Sequence, residues 1–246
     1  MDDSRLANAL LRRIAIREKS RAQVNFLRLL ASHTLGDSLI LYGSAALHGV
    51  HLQERFPEDL DFLAPEEIAA TFGTDFARYG LPIKLAATPS GERVPAYFER
   101  GTVFERVVVS IDVTSRDSLP AGEERTFHGL SGTVLVHAVP FLQMVAEKVN
   151  CVSERGEPTD YTDLFLALRK SPAIASVVAE VLREAAETHS RPRWVSEAAR
   201  KGLETVAQHW TESIGHTMLV IPAFTDVSDT LLRFFDFLDT CLPPTK

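Results

Sequence analysis

Gly43-Ser44-Ala45-Ala46-Leu47, followed by Arg55-Phe56-Pro57-Glu58-Asp59-Leu60-Asp61-Phe62, is the most informative stretch of this 246-residue chain. The apolar run Leu39 to Tyr42 ends at Gly43 and reads as a strand, after which Ser44 is placed to cap a helix through Ala45, Ala46 and Leu47. Leu60, Phe62 and Leu63 are the apolar positions of a second strand. Residues two apart on a strand share a side, so Asp59 and Asp61 aim both carboxylates at one spot while Leu60 and Phe62 face the core. At about 5 Å and an effective dielectric of about 20, two carboxylates repel by roughly 3 kcal/mol. A divalent cation such as Mg²⁺ removes that cost by taking oxygen ligands from both. A third acid is on offer: Asp112 interrupts the apolar run Val107 to Val113, and a neighbouring strand would set it beside the pair.

Outward from this stretch, apolar residues at helical spacing (Leu6, Leu10, Ile14, Val24, Leu27, Leu30) predict one long helix or two shorter ones over residues 3–30. After the second strand, Pro65 sits where a first helical turn would begin, with Glu66 and Glu67 suited to the positive end of the helix dipole. Residues 81–136 read as β, with turns at Thr88-Pro89-Ser90-Gly91 and Leu119-Pro120-Ala121-Gly122 and the strongest strand at Val107 to Val113. Beyond Pro140 the pattern becomes helical: Phe141 to Ser153, Tyr161 to Leu168, Ile174 to Glu187, a stretch around Trp194 to Trp210, and Asp226 to Leu238. The fold class is α+β, a mixed sheet with helices in residues 1–138 and a helical domain in residues 139–246.

Composition sets the outer limits. At 45% hydrophobic and 24% charged the chain has the material for a sizeable core, and disordered, collagen-like and disulfide-scaffold classes are excluded. No stretch approaches the roughly 18 uncharged apolar residues of a membrane span, and the N-terminus lacks an apolar signal core, so a cytoplasmic protein without membrane contact is expected. Cys151 and Cys241 fit no metal spacing and are expected as free thiols. The formal charge of −7 argues against coating nucleic acid by bulk positive field. Local basic groups exist (Arg12, Arg13, Arg17, Lys19 and Arg21; Arg191, Arg193, Arg200 and Lys201), and solvated helix faces account for such runs.

A strand ending in Gly lets the backbone pass close to a ligand, and the N–H groups of the next helix with the Ser44 hydroxyl can grip phosphate oxygens. A nucleoside triphosphate carrying Mg²⁺ would bridge that turn and the acids. Here the run GSAALHGVHLQERFPEDLDF resembles the signature of the nucleotidyltransferases of the AbiEii/AbiGii toxin family, which includes the MenT toxins, in the polymerase-beta-like superfamily. Ala146-Glu147-Lys148, then Arg155 followed by Asp160-Tyr161-Thr162-Asp163-Leu164, are similar to the family's lysine helix and its Arg…Asp-x-x-Asp-Leu element, so the resemblance runs from about Leu39 to Leu168.

The resemblance implies a polymerase-beta-like nucleotidyltransferase core in which Gly43 and Ser44 hold the nucleotide's phosphates. Asp59 and Asp61 would ligate Mg²⁺, and Asp112, sharing a second ion, would activate the attacking hydroxyl. Lys148 would contact the triphosphate and Asp160 would complete the site. Pro57 and Thr159 depart from the family pattern, where Ser and a basic residue are common. The acceptor implied is the tRNA 3′ end and the role that of a monomeric toxin neutralised by a cognate antitoxin. Read from the residues alone, Lys148 is either a snorkelling surface lysine or a point charge for phosphate. Arg55 either pairs with Glu58 or Asp59 or joins the nucleotide-binding set.

Other constellations carry no chemistry. His48 and His51 lack the context of a zinc site, and Ser44 lacks the Gly-x-Ser-x-Gly setting of an esterase nucleophile. Leu231 to Leu238 reads as core. Two rival functions stand beside the toxin reading: the same transfer onto a protein side chain or a small molecule, and a catalytically silent nucleotide- or RNA-binding module.

Overall fold

Alternating burial along the strands builds the sheet that carries the acids. The computed structural model describes residues 3–78, 83–85, 96–102, 105–115, 119–188, 194–218 and 220–242. The Thr88 to Gly91 turn, Arg191 and Arg193 lie outside them. The chain divides into two compact units, Met1–Pro140 and Phe141–Lys246, and the fold is α+β.

In the first unit a single helix α1 (Asp3–Ala31) leads to β1 (Ile40–Tyr42), an eight-residue π-helical segment (Ala45–Leu52) and β2 (Asp59–Ala64). Helix α2 (Glu66–Arg78) follows, then β3 (Ile83–Leu85), β4 (Ala96–Thr102), β5 (Glu105–Ser115), β6 (Glu123–Gly129) and β7 (Gly132–Ala138). These form one seven-stranded mixed sheet in the order β3-β4-β5-β2-β1-β7-β6. At its centre β2 runs antiparallel to β1, with Tyr42 opposite Asp61, and parallel to β5, with Asp61 opposite Asp112.

Side-chain alternation explains which face is which. Leu60 and Phe62 on β2, and Val109, Ile111 and Val113 on β5, are buried, while Asp59, Asp61 and Asp112 on the other face are half-buried. Helix α1 supplies the opposite wall of the core: Phe26 packs on Phe62 with ring centroids 6.4 Å apart, beside buried Val24, Leu27 and Leu30. The basic residues Arg13, Arg17 and Arg21 of α1 are exposed.

The π-helical segment is packed unusually close. A Cβ on Gly49 would fall inside the ring of buried Phe127 on β6, so only a hydrogen at that position lets the segment sit on the sheet. Among its histidines, His48 is buried and His51 Nε2 donates to the carbonyl of Val139 at 2.9 Å.

The second unit is helical: α3 (Phe141–Glu154), α4 (Pro158–Lys170), α5 (Ile174–Thr188), α6 (Ser196–Val206), α7 (Trp210–Ile214) and α8 (Phe224–Cys241). Leu231, Phe234, Phe235 and Leu238 of α8 are core, and Trp194 packs on Phe235 at 5.2 Å. Trp194 Nε1 and Ser196 Oγ donate to Asp239, and Arg200 bonds both Asp236 and Asp239. Tyr161 is fully buried, its hydroxyl donating to the Ala199 carbonyl at 2.8 Å in a notch where Gly202 leaves room for the phenol. Cys151 and Cys241 are free thiols, and burial, aided by Asp160, pushes the Cys151 thiol up to about 11. No helix among the described residues is long and apolar enough to cross a membrane.

The Gly49–Phe127 contact makes a stability prediction. Gly49→Ala should destabilise the protein by about 1–3 kcal/mol, the usual range for overpacking. In a Phe127→Leu background the added loss should shrink, as urea unfolding of the four variants would read out.

Candidate active site

The acids meet because two separate geometric facts agree. Asp59 and Asp61 share a face of β2 by strand alternation, and the parallel register sets Asp112 of β5 directly across from Asp61. One carboxylate oxygen from each of the three lies within 4.8 Å of the others. Tyr42, across from Asp61 on β1, donates to or accepts from Thr114 Oγ1 at 3.2 Å, bracing the same face.

Three like charges so placed repel by roughly 3 kcal/mol per pair at an effective dielectric of about 20. The Asp59 carboxyl is raised above its ordinary value mainly by burial, with smaller contributions from Asp112 and Glu58, while its own backbone N–H and Lys19 pull the other way. Three carboxylate oxygens are the hard donor set of Mg²⁺, and a divalent cation is what this cluster is chemically suited to hold.

The Gly43-Ser44 turn closes on the cluster. Gly43 has φ +66°, and a Cβ there would overlap the Asp61 carboxylate, so glycine is required twice over, by backbone conformation and by the proximity of the acid. Ser44 differs from the sequence expectation. It lies at φ −61°, ψ −32° and its side chain makes no capping bond. Its Oγ accepts instead from Arg55 Nη2 at 2.7 Å. Arg55 is itself only 4% exposed. Of the alternatives weighed for Arg55, pairing with Glu58 or Asp59 or reaching a nucleotide, none named this serine.

The loop between the π-helical segment and β2 is stitched to its surroundings. Gln53 turns it in the left-handed region at φ +60°, its N–H bonding the His48 carbonyl at 2.9 Å. Buried Gln23 of α1 donates Nε2 to the Pro57 carbonyl at 2.9 Å. Nothing in the sequence marked Gln23, because its partner is a backbone atom far along the chain.

In the helical unit, Lys148 is not the snorkelling surface lysine that its neighbours on α3 suggested. Its side chain is 6% exposed, and Nζ pairs with Asp160 Oδ1 at 2.9 Å and Asp163 Oδ2 at 2.8 Å, both acids fully buried. Arg155 adds a two-pronged grip on Asp160, Nε to Oδ2 at 2.8 Å and Nη2 to Oδ1 at 2.9 Å. Burial alone would raise the Asp160 carboxyl, but Arg155 and Lys148 outweigh it and hold it below its ordinary 3.8. Asp163 was no sequence candidate, although its spacing of three from Asp160 on α4 sets both acids on one helix face. Within the first unit the structure thus brings together Gly43, Ser44, Arg55, Asp59, Asp61 and Asp112, and within the second Lys148 and Asp160.

The buried pairs make a prediction. Lys148→Met leaves two buried carboxylates without their shared cation and should destabilise by about 3–5 kcal/mol. Because the folded Asp160 value lies below the unfolded 3.8, its contribution is complete above about pH 4 and drains as pH falls through the folded value. Denaturant titrations below pH 4 should therefore show a shallower acid loss in Asp160→Asn than in the native protein.

Comparison with known proteins extends the geometry. The family described as nucleotidyl transferase AbiEii toxin, type IV TA system, matches residues 26–233. Among solved structures, MenT4, a nucleotidyltransferase toxin from Mycobacterium tuberculosis, aligns over 97% of this chain and 89% of its own at TM-score 0.68 and 20% identity. JHP933 from Helicobacter pylori aligns over 89% and 91% at TM-score 0.50 and 14% identity. These two likenesses show a shared fold. No curated protein sequence matches the chain significantly.

Proposed function

This chain belongs to the AbiEii nucleotidyltransferase toxin family of type IV toxin–antitoxin systems, and from that premise we propose that it moves a nucleoside monophosphate from an NTP onto the 3′-terminal hydroxyl of tRNA, blocking translation. The observation that supports the reading is the convergence of Asp59, Asp61 and Asp112 on one face of the sheet beside the Gly43-Ser44 turn.

The division of labour follows from the side chains. Gly43 and Ser44, with Arg55 behind them, receive the triphosphate, since a glycine backbone and a hydroxyl present donors without bulk. Asp59, Asp61 and Asp112 would hold Mg²⁺, which when bound neutralises triphosphate charge and lowers the acceptor hydroxyl's pKa. The acceptor oxygen forms its bond to the α-phosphorus while the bond to the β-phosphate bridging oxygen breaks, and pyrophosphate leaves. Asp112 takes the hydroxyl proton. In the helical unit, Lys148 and Asp160, for which the family resemblance implies a triphosphate contact and completion of the site, form a buried ion pair with each other. A monomer acting in the cytoplasm and restrained by a cognate antitoxin completes the proposal.

Purified protein incubated with each labelled NTP, Mg²⁺ and total tRNA tests this. Label should enter native tRNA and not tRNA whose terminal diol has been oxidised by periodate. Asp61→Asn should reduce transfer by roughly 100-fold or more, the loss typical when one fixed electrostatic contact to the transition state is removed. Label on protein instead of tRNA would move the acceptor to a side chain, and bound NTP without any product would leave a silent binding module.

A further inference from the structure

The bond from Arg55 to Ser44 sets the direction in which the serine hydroxyl points. A guanidinium carries five N–H donors and no acceptor. At 2.7 Å the Ser44 oxygen must therefore be the acceptor, and its own proton is turned to another side. A hydroxyl that accepts from a cation is also polarised into a better donor. The Ser44 oxygen takes no bond from the N–H groups of the following helix, so Arg55 is the donor placed on it rather than a helix cap.

Arg55 is fixed in place from several directions. The loop that carries it turns at Gln53, whose N–H holds the His48 carbonyl, and it approaches β2 through Pro57, whose carbonyl is held by Gln23. With 4% of its surface exposed, Arg55 is unavailable as a mobile hand for an incoming polyphosphate. Placing a guanidinium in such a position is expensive unless its charge is used locally. Ser44 follows Gly43, whose α-carbon lies against the Asp61 carboxylate, so the oriented hydroxyl and the acid cluster flank the same residue.

We propose that Arg55 is a positioning residue that occupies the acceptor side of Ser44 and turns the serine O–H toward a phosphate oxygen of the nucleotide. This rests on the reading that the turn binds an NTP. It differs from a direct contact between Arg55 and phosphate, because in this arrangement the arginine reaches the nucleotide through the serine.

A double-mutant cycle distinguishes the two. NTP affinity is measured by calorimetry with a non-hydrolysable NTP and Mg²⁺, alongside KM and kcat for transfer, in native protein, Ser44→Ala, Arg55→Gln and the double variant. Losing a hydrogen bond to a charged phosphate should weaken NTP binding about tenfold or more in Ser44→Ala. Arg55→Gln should match it and raise KM far more than it lowers kcat. In the Ser44→Ala background, Arg55→Gln should change affinity by less than about twofold, since the two residues act as one unit. If the two losses multiply instead, or if Arg55→Gln binds NTP as the native protein does, the proposal is overturned while the functional reading stands. Native protein that binds no NTP overturns both. Should Arg55→Gln fail to fold, Arg55→Met, which fills the buried space without a donor, carries the same cycle, with thermal melting confirming that each variant is intact.

Discussion

Mutual repulsion among Asp59, Asp61 and Asp112 is the constraint around which the first unit is organised. Their oxygens lie within 4.8 Å of one another, and a rigid backbone is needed to set like charges that close. The sheet provides that rigidity. The two β2 acids are held by the pleat, and the third, on β5, is held by that strand's parallel pairing to β2, which β1 braces on its other side. Buried Leu60, Phe62, Ile111 and Val113 anchor the same strands from below, so moving any one acid means moving core residues.

The turn opposite the acids follows the same logic of close approach. Gly43 is in the left-handed region with the Asp61 carboxylate against it, and Gly49 admits the ring of Phe127 a turn and a half later. Both glycines trade side-chain bulk for proximity. The π-helical geometry of residues 45–52 belongs with them, since widened turns of this kind recur where backbone is shaped for a ligand.

Much of this was legible in the linear chain, and the reasons are specific. Alternation of Asp59, Leu60, Asp61 and Phe62 announced a strand with one charged and one apolar face, and a lone acid in the run Val107 to Val113 announced its neighbour. The parallel register that sets Asp112 across from Asp61 fits both signals. What escaped were partnerships that no local pattern encodes. Ser44 looked like a cap because serine before a helix normally is one, yet an arginine eleven positions on claims its oxygen. Lys148 looked exposed because its neighbours on α3 describe only one side of its surroundings, while its counter-charges come from α4. Gln23 carried no signal at all, because a backbone carbonyl has no residue type to betray it.

Parallel pairing between β2 and β5 also bears on when such a protein becomes dangerous to its host. The polymer must travel out through β3 and β4 and come back before Asp112 meets its companions. Joining distant segments in this sense is slow beside the closing of a neighbouring hairpin. A nascent chain whose β5 has not yet emerged holds two acids of the three, so on the proposed reading the poison cannot be assembled until that strand has left the ribosome and found β2.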